Sequence, residues 1–531
     1  MEKEKRIQYR FPGWLAGPCI LLLLGLWHLK DTYAGAAGSQ DWWLIGQYII
    51  LFAAVLFLAG FSGWQLIRRK VSSSRVFAVC ALVLGVMYLF VLPPLSAPDE
   101  IRHYISAYQL SNQIMGKEVM DENGYVYIRT EDDFIDNIDK IDGWENRRTL
   151  GQILDEETYR LIHEKGFFKS SEQGTMISCQ LPVKTTPFAY LPQALGITAA
   201  RLLNLNCIGL AFLGRFFNLL FFIALICMTL SVIPFGKSLI FGVGILPMTL
   251  HLATSFSYDS MIIGMCFYFA AYCLHLAYRK EQVEWKDIAV LAIVAAWVGP
   301  CKMVYAAVLG FAFLIPVRKF GGWKQWAISA AIVLAAFVTS MFLVNSQVIA
   351  SYAGGADSYV GWAEQEGYSL PYILHNPLRY AEILYQTLLT QGEFYFVSAF
   401  GGYLGNLDPV LNVPFLLVLA LFGSLFFLSI KKKEDTLYFK TGQKVWIWVL
   451  FAACSVGVMT AMLISWTPLS SDYIHGVQGR YFLPLLPFVL MTLAGKGLVL
   501  TKNHDREILY GMCIANGYVL LRLFSIVSMR L

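Results

Sequence analysis

The sequence predicts an all-α polytopic membrane protein. Of its 531 residues 57% are hydrophobic and only 15% are charged, too few charges to cover the surface of a soluble domain. Apolar runs recur from Trp14 to Phe524 with short polar punctuation between them, the pattern of a helical bundle in lipid. Aromatic residues make up 15% of the chain, which suits Trp and Tyr anchoring at both membrane interfaces.

Taken in order, the expected spans are 14–29, 42–67, 75–95, 207–233, 238–255, 258–278, 287–300, 303–317, 326–345, 412–430, 445–465, 481–500 and 507–524. A span needs roughly 20 residues. Segments 287–300 and 303–317 fall short and read as half-buried helices meeting at a break, so the expected bundle has about 11–13 transmembrane helices. Trp14–Leu29 follows basic residues but precedes no small-residue cleavage pattern, so it reads as a retained span. Nine of the ten cysteines lie in or beside apolar runs and Cys179 stands alone in the long loop, so no disulfide framework is indicated.

Charge sets the expected orientation. With the N-terminus cytoplasmic, inner segments carry 23 Lys and Arg, among them Lys3, Lys5, Arg6, Arg10, Arg68, Arg69, Lys70, Arg279, Lys280, Lys319, Lys432, Lys444 and Arg506. The short outer segments carry five: Lys30, Lys302, Arg379, Arg480 and Arg530. The loop 96–190 is then outside. It holds 17 of the 36 acids, including Glu131, Asp132, Asp133, Asp136, Asp139 and Asp142, and reads as a hydrated small domain or lid of mixed helix and irregular structure. Pro187–Leu203 is amphipathic, contains Pro192 and reads as an interfacial helix. A second outer region, 346–411, has helical character from Pro371 to Gln391. The net charge of +5 is spread over cytoplasmic turns and gives no nucleic-acid signal.

The sharpest chemical feature is the run Pro98-Asp99-Glu100-Ile101-Arg102-His103 at the end of the third span. Asp99 and Glu100 are adjacent carboxylates, and Glu100 and His103 share a helical face. One reading is a helix start, because Asp and Glu favour the first turn; the other is a carboxylate serving as general base. Lys302 follows a Gly-Pro break between two apolar half-helices, where a lysine costs about 2.5–3.5 kcal/mol near the bilayer centre and requires a partner. It is either an anion-binding cation or a snorkelling one. Arg480 closes the loop Ser470–Arg480, whose Gly476 and Gly479 would let backbone approach a ligand; it reads as a bidentate phosphate grip or as an interfacial anchor, with His475 and Gln478 in the same loop. Asp259 stands in a turn rich in serine, where a backbone role suffices. Arg215 and Asn218 lie on a span, and Arg215 reads as one half of a structural pair.

Several classes are excluded. No phosphate-binding G-x-x-x-x-G-K-[ST] loop, no strand-flanked G-x-G-x-x-G and no Cys/His cluster of zinc spacing occurs. No cytoplasmic segment is large enough for a nucleotide-binding domain.

The segments APDEIRH (97–103), PFAYLPQALGITAARLL (187–203), FLGRFFNLLFF (212–222), PFGKS…LPMTLHLATSFSYDS (234–260), GPCKMVY (299–305) and GVQGRYFLPLLP (476–487) occur together and in order. In these the chain resembles a family of predicted bacterial membrane proteins of unknown function within the GT-C glycosyltransferase superfamily. That resemblance implies a GT-C-like bundle in the bacterial plasma membrane, with an extracytoplasmic site and an acidic catalytic residue in the first long outer loop. It implies a first core span at 75–95, an extracytoplasmic loop domain with an interfacial helix at 96–206, and a transmembrane core at 207–531. Residues 1–74 are then a two-helix N-terminal addition. It further implies an inverting glycosyltransferase that uses a polyprenyl-phosphate-linked sugar and a glycan or lipid acceptor. Asp99 and Glu100 would be catalytic, Lys302 and Arg480 would bind the donor phosphate, and His103, Asp259, Tyr305, His475, Gln478 and Gln193 would support them. A divalent metal would sit at Asp99 if one is used. The rival classes are a lipid-linked glycan flippase, which would want charges near the midplane and repeat symmetry, and a polysaccharide polymerase or ligase, with its dominant outer loop late in the chain.

Overall fold

The computed structural model describes residues 13–69, 71–139, 147–167, 169–170, 174–183, 185–354 and 359–530. Lys3, Lys5, Arg6, Arg10, Lys70 and Asp142 lie outside the described residues. The chain is an all-α polytopic membrane protein. In order it forms α1 (Ala16–Ser39), α2 (Trp43–Gly63), α3 (Ser73–Val91), α4 (Glu100–Ile114), β1 (Tyr127–Arg129), α5 (Glu156–Lys165), β2 (Thr175–Ile177), α6 (Leu191–Leu202), α7 (Cys207–Val232), α8 (Lys237–Gly244), α9 (Pro247–Ala253), α10 (Asp259–Tyr278) and α11 (Trp285–Cys301). A 3-10 helix, Met303–Leu314, follows. The rest is α12 (Trp323–Gly354), β3 (Tyr359–Val360), β4 (Gln365–Glu366), α13 (Leu370–His375), α14 (Pro377–Ala399), α15 (Phe415–Ser429), β5 (Lys431–Lys432), α16 (Thr441–Trp466), α17 (Leu486–Met491), β6 (Val499–Leu500) and α18 (Asp505–Ser528).

Among the described residues eight helices are long and apolar enough to cross a membrane, fewer than the 11–13 expected. Five expected spans form as shorter or interrupted pieces. Pro247 starts α9 and splits 238–255 into α8 and α9. Pro300 and Lys302 end α11, and the chain continues as the tighter 3-10 helix. Segment 412–430 holds only the 15-residue α15, and 481–500 holds the six-residue α17 between irregular stretches. Leu23, Ile50 and Leu343 are 70–80% exposed on α1, α2 and α12, apolar surfaces that water would not tolerate and lipid does.

The N-terminal pair α1 and α2 packs against α18 through small residues. A Cβ on Gly35 would stand 2.0 Å from the Ser528 carbonyl oxygen, so the two backbones touch where no side chain intervenes. Tyr48 donates to the Gly25 carbonyl at 2.7 Å and Tyr510 to that of Trp14 at 2.6 Å. Around α7 pack α3, α6 and α10, and α10 is buried on most sides.

The bundle has two unlike ends. At one, Lys319 donates to the Leu276 carbonyl, Lys444 to that of Ala494, and Lys432 Nζ lies 2.8 Å from Asp505 Oδ1. At the other stands the segment between α3 and α6, with α4, α5 and the antiparallel β1–β2 pair. Its acidic cluster is only partly the solvated surface expected from composition. Asp132 is 1% exposed and accepts bonds from Arg129 and from Tyr108 at 2.8 Å, because Arg129, three residues earlier, is within reach to neutralise it. The segment 187–203 forms a 3-10 turn and α6, which buries Ile197 and Ala200 against the bundle and exposes Leu195 and Leu202. The helical stretch in 346–411 is α13 and the longer α14.

Candidate functional site

The site is built on the turn between α9 and α10. The last turn of α9 leaves carbonyls without helical partners, and burial makes each of them costly unless bonded. Asn218 on α7 spreads its amide over the carbonyls of Leu252 (3.4 Å), Ser255 (2.8 Å) and Ser257 (3.2 Å), and its own oxygen accepts from Ser260 Oγ at 3.0 Å. Gln193 on α6 donates to the carbonyls of Phe256 (3.3 Å) and Ser257 (3.2 Å). Glu100 accepts from the N–H of Phe256 at 2.9 Å. Three separate helices therefore hold the turn that presents Asp259.

Asp99 and Glu100 face opposite ways. Glu100 is buried, its Oε2 accepts from Ala97 N–H at 2.8 Å, and its Oε1 lies 3.2 Å from Arg215 Nε with both side chains fully shielded. Arg215 also donates to the Leu92 carbonyl at 2.7 Å. The structural pair expected of Arg215 is thus with Glu100, and Glu100 is a brace between the two turns. Asp99 has φ of +57°, which turns its side chain outward at the start of α4. It is exposed and makes no side-chain bond to cap the helix, so the helix-start reading does not account for its carboxylate.

Asp259 joins two cations. Its Oδ1 accepts from Lys302 Nζ at 3.2 Å and its Oδ2 lies 3.3 Å from Arg480 Nε. Lys302 sits where Pro300 breaks the helix; Asn345 donates to the freed Pro300 carbonyl at 2.7 Å, and Thr185 to that of Cys301 at 3.2 Å. Tyrosines wall the cations: Lys302 Nζ stands 4.0 Å from the Tyr481 ring centroid, 5.7 Å from Tyr258 and 6.0 Å from Tyr305. His103 bonds Tyr190 through Nδ1 at 2.6 Å and meets the edge of Tyr258. Burial lowers the His103 pKa to about 3 against the opposing pull of the Asp259 charge, so the ring is neutral. The charge of Asp99 reaches Arg480 from the rim. Lys302 and Arg480 exceed Asp259 by one positive charge, and the charge of the exposed Asp99 acts on Arg480 from outside the cluster.

The remaining sequence candidates divide. Tyr305 belongs to the site and donates to the Tyr481 carbonyl at 2.9 Å. Gln193 acts through the Asp259 turn. Gln478 precedes Arg480 and keeps a buried Oε1 without a hydrogen-bond partner. His475 is elsewhere, in an open groove with Trp362. Gly476 and Gly479 serve packing rather than ligand approach: a Cβ on Gly479 would meet the Tyr395 carbonyl oxygen at 2.0 Å, and one on Gly476 would press on Trp466 and Met462. Sequence reasoning missed Tyr190, Tyr258 and Tyr481. The last two each adjoin a charged candidate, which is the signal that could have found them.

A divalent metal fits this donor set poorly. Among the described residues no three His, Cys, Asp or Glu side chains converge. Glu100 turns away from Asp99, Asp259 is held by two cations, and Asp99 alone offers free carboxylate oxygens.

Fold and site together define a polytopic membrane protein with a cation-rich polar cluster, buried at Asp259 and Arg480 and half-buried at Lys302, built where α4, α10, α11 and the segment 478–481 meet. The chain belongs to the family described as predicted membrane proteins (DUF2142), whose pattern matches residues 82–489. No curated protein and no solved structure matches it.

Proposed function

We propose that the protein is a GT-C type inverting glycosyltransferase of the bacterial plasma membrane, moving a sugar from a polyprenyl-phosphate donor to a surface glycan or lipid acceptor. The observation that carries this reading is the convergence of Lys302 and Arg480 on Asp259, with Asp99 at the rim. In this reading the N-terminus is cytoplasmic and the pocket opens on the extracytoplasmic face, as the uneven spread of Lys and Arg favours.

The donor phosphate enters beside Lys302 and Arg480, which Asp259 holds in place before it arrives. The acceptor hydroxyl oxygen forms a bond to the anomeric carbon from the face opposite the phosphate. The bond from that carbon to the phosphate oxygen breaks, and polyprenyl phosphate leaves with the electron pair. Asp99 takes the hydroxyl proton, and the two cations offset the charge that grows on the departing phosphate. Glu100 is a positioning residue here, and no step requires a metal.

The test is transfer from a radiolabelled polyprenyl-phosphate sugar by the purified full chain in nanodiscs. General-base removal typically costs about 10²–10⁴-fold, so Asp99→Asn should lose transfer on that scale while keeping donor binding. Lys302→Met should weaken donor binding itself. Wild-type transfer by a correctly inserted Asp99→Asn protein overturns the reading.

A further inference from the structure

The loop that ends on Arg480 begins in a second concavity. Residues 467–475 and the β3–β4 hairpin enclose an open groove of about 550 Å³, within the usual range of roughly 300–1,000 Å³ for ligand sites. Its lining alternates aromatic rings with polar tips: Trp362, Tyr473 and His475 against Gln365, Ser470 and Asp472. The ring centroids of Tyr473 and His475 are 4.5 Å apart, and those of Trp362 and His475 are 5.4 Å apart.

Hydrogen bonds tie the groove together although Trp362 is half exposed. The Trp362 indole N–H donates to the Trp466 carbonyl at 3.0 Å, and Leu469 N–H donates to the Glu366 carbonyl at 2.9 Å, tying hairpin to loop. Ser471 Oγ donates to the Tyr473 carbonyl at 2.8 Å and stands 2.9 Å from His475 Nε2. Trp362 packs against His475 and Trp466, and the half of its surface left exposed is open to contact.

The chemistry selects the occupant. Among the described lining residues Asp472 is the sole charge, and Arg379, which pairs with it and with Glu382, is already neutralised, so a phosphate or acidic chain gains nothing there. A lipid tail has no use for Gln365, Ser470 and Asp472 projecting into the same hollow. A sugar chain has flat C–H faces that stack on rings and hydroxyl edges that bond to carboxylate, amide and hydroxyl groups. We infer that this groove binds a neutral carbohydrate chain, with Trp362 and Tyr473 stacking on sugar faces, His475 backing both rings, and Gln365, Ser470 and Asp472 bonding the sugar hydroxyls. That the carbohydrate is the transfer acceptor rests on the glycosyltransferase reading; that the groove takes carbohydrate does not.

The experiment presents the full chain in nanodiscs to an array of immobilised glycans, with each retained glycan also supplied in solution as competitor. Wild type should be retained by at least one neutral glycan class and released by its soluble form. Loss of one stacking ring typically weakens ligand contact by about tenfold or more, so Trp362→Ala and Tyr473→Ala should each lose retention on that scale. Trp362→Phe, which keeps a ring, should retain most of it and guards against a folding defect. Lys302→Met should leave retention intact while abolishing transfer, which separates this inference from the transfer reading. Retention by no glycan, equal retention by Trp362→Ala, or a wild-type preference for empty lipid vesicles that Trp362→Ala loses, as expected of an interfacial anchor, overturns it.

Discussion

Glu100 Oε1 accepts a hydrogen bond from the backbone N–H of Phe256 at 2.9 Å, and that one bond joins the turn before α4 to the turn that presents Asp259. The same carboxylate faces Arg215 at 3.2 Å. Removing one partner of a buried pair leaves the other charge uncompensated, which typically costs about 3–5 kcal/mol. Glu100→Gln should therefore lower the unfolding midpoint markedly in detergent. Asp99→Asn, one residue away and exposed, should stay within about 0.5 kcal/mol of wild type. Equal midpoints for the two variants would contradict the division of roles between these neighbours.

The Asp259–Lys302 contact predicts a strong coupling. Asp259→Asn leaves Lys302 and Arg480 facing each other without their shared counter-charge, and Lys302→Met relieves that repulsion. The double variant should therefore be more stable than the sum of the single losses, by about 0.5–3 kcal/mol, the usual size for residues in one network. Thermal unfolding of the four proteins measures it, and strict additivity would dissolve the proposed pair.

His103 predicts a pH response. An imidazole ordinarily titrates near 6.5, and burial lowers this one to about 3, with the charge of Asp259 opposing. Between those values the unfolded chain binds a proton that the folded chain refuses. Stability from this residue is thus fully present above about pH 6.5 and is lost as pH falls toward 3. His103→Gln should flatten the fall of the unfolding midpoint between about pH 7 and about pH 5 relative to wild type. Parallel curves would count against a buried neutral ring.

The bundle was legible because lipid imposes length and hydropathy on every full span, and all eight helices that meet those demands coincide with expected runs. The interruption of 238–255 was not, since Pro247 acts on backbone while leaving hydropathy high. The break at Lys302 was visible in its Gly-Pro signal. What composition hid was partnership. Asp99 and Glu100 look equivalent side by side, yet Arg215, on a distant helix, claims one of them. Asp259 reads as an ordinary turn residue until Lys302 and Arg480, 43 and 221 positions further on, fold onto its two oxygens.

A pocket that keeps its own carboxylate between two cations counts the charge of its visitor. A sugar phosphodiester carries one negative charge and matches the single surplus positive charge. The free phosphomonoester left after transfer carries close to two at neutral pH and competes with Asp259 for the same cations. On the proposed chemistry the two cations therefore grip the spent carrier more tightly than the loaded one.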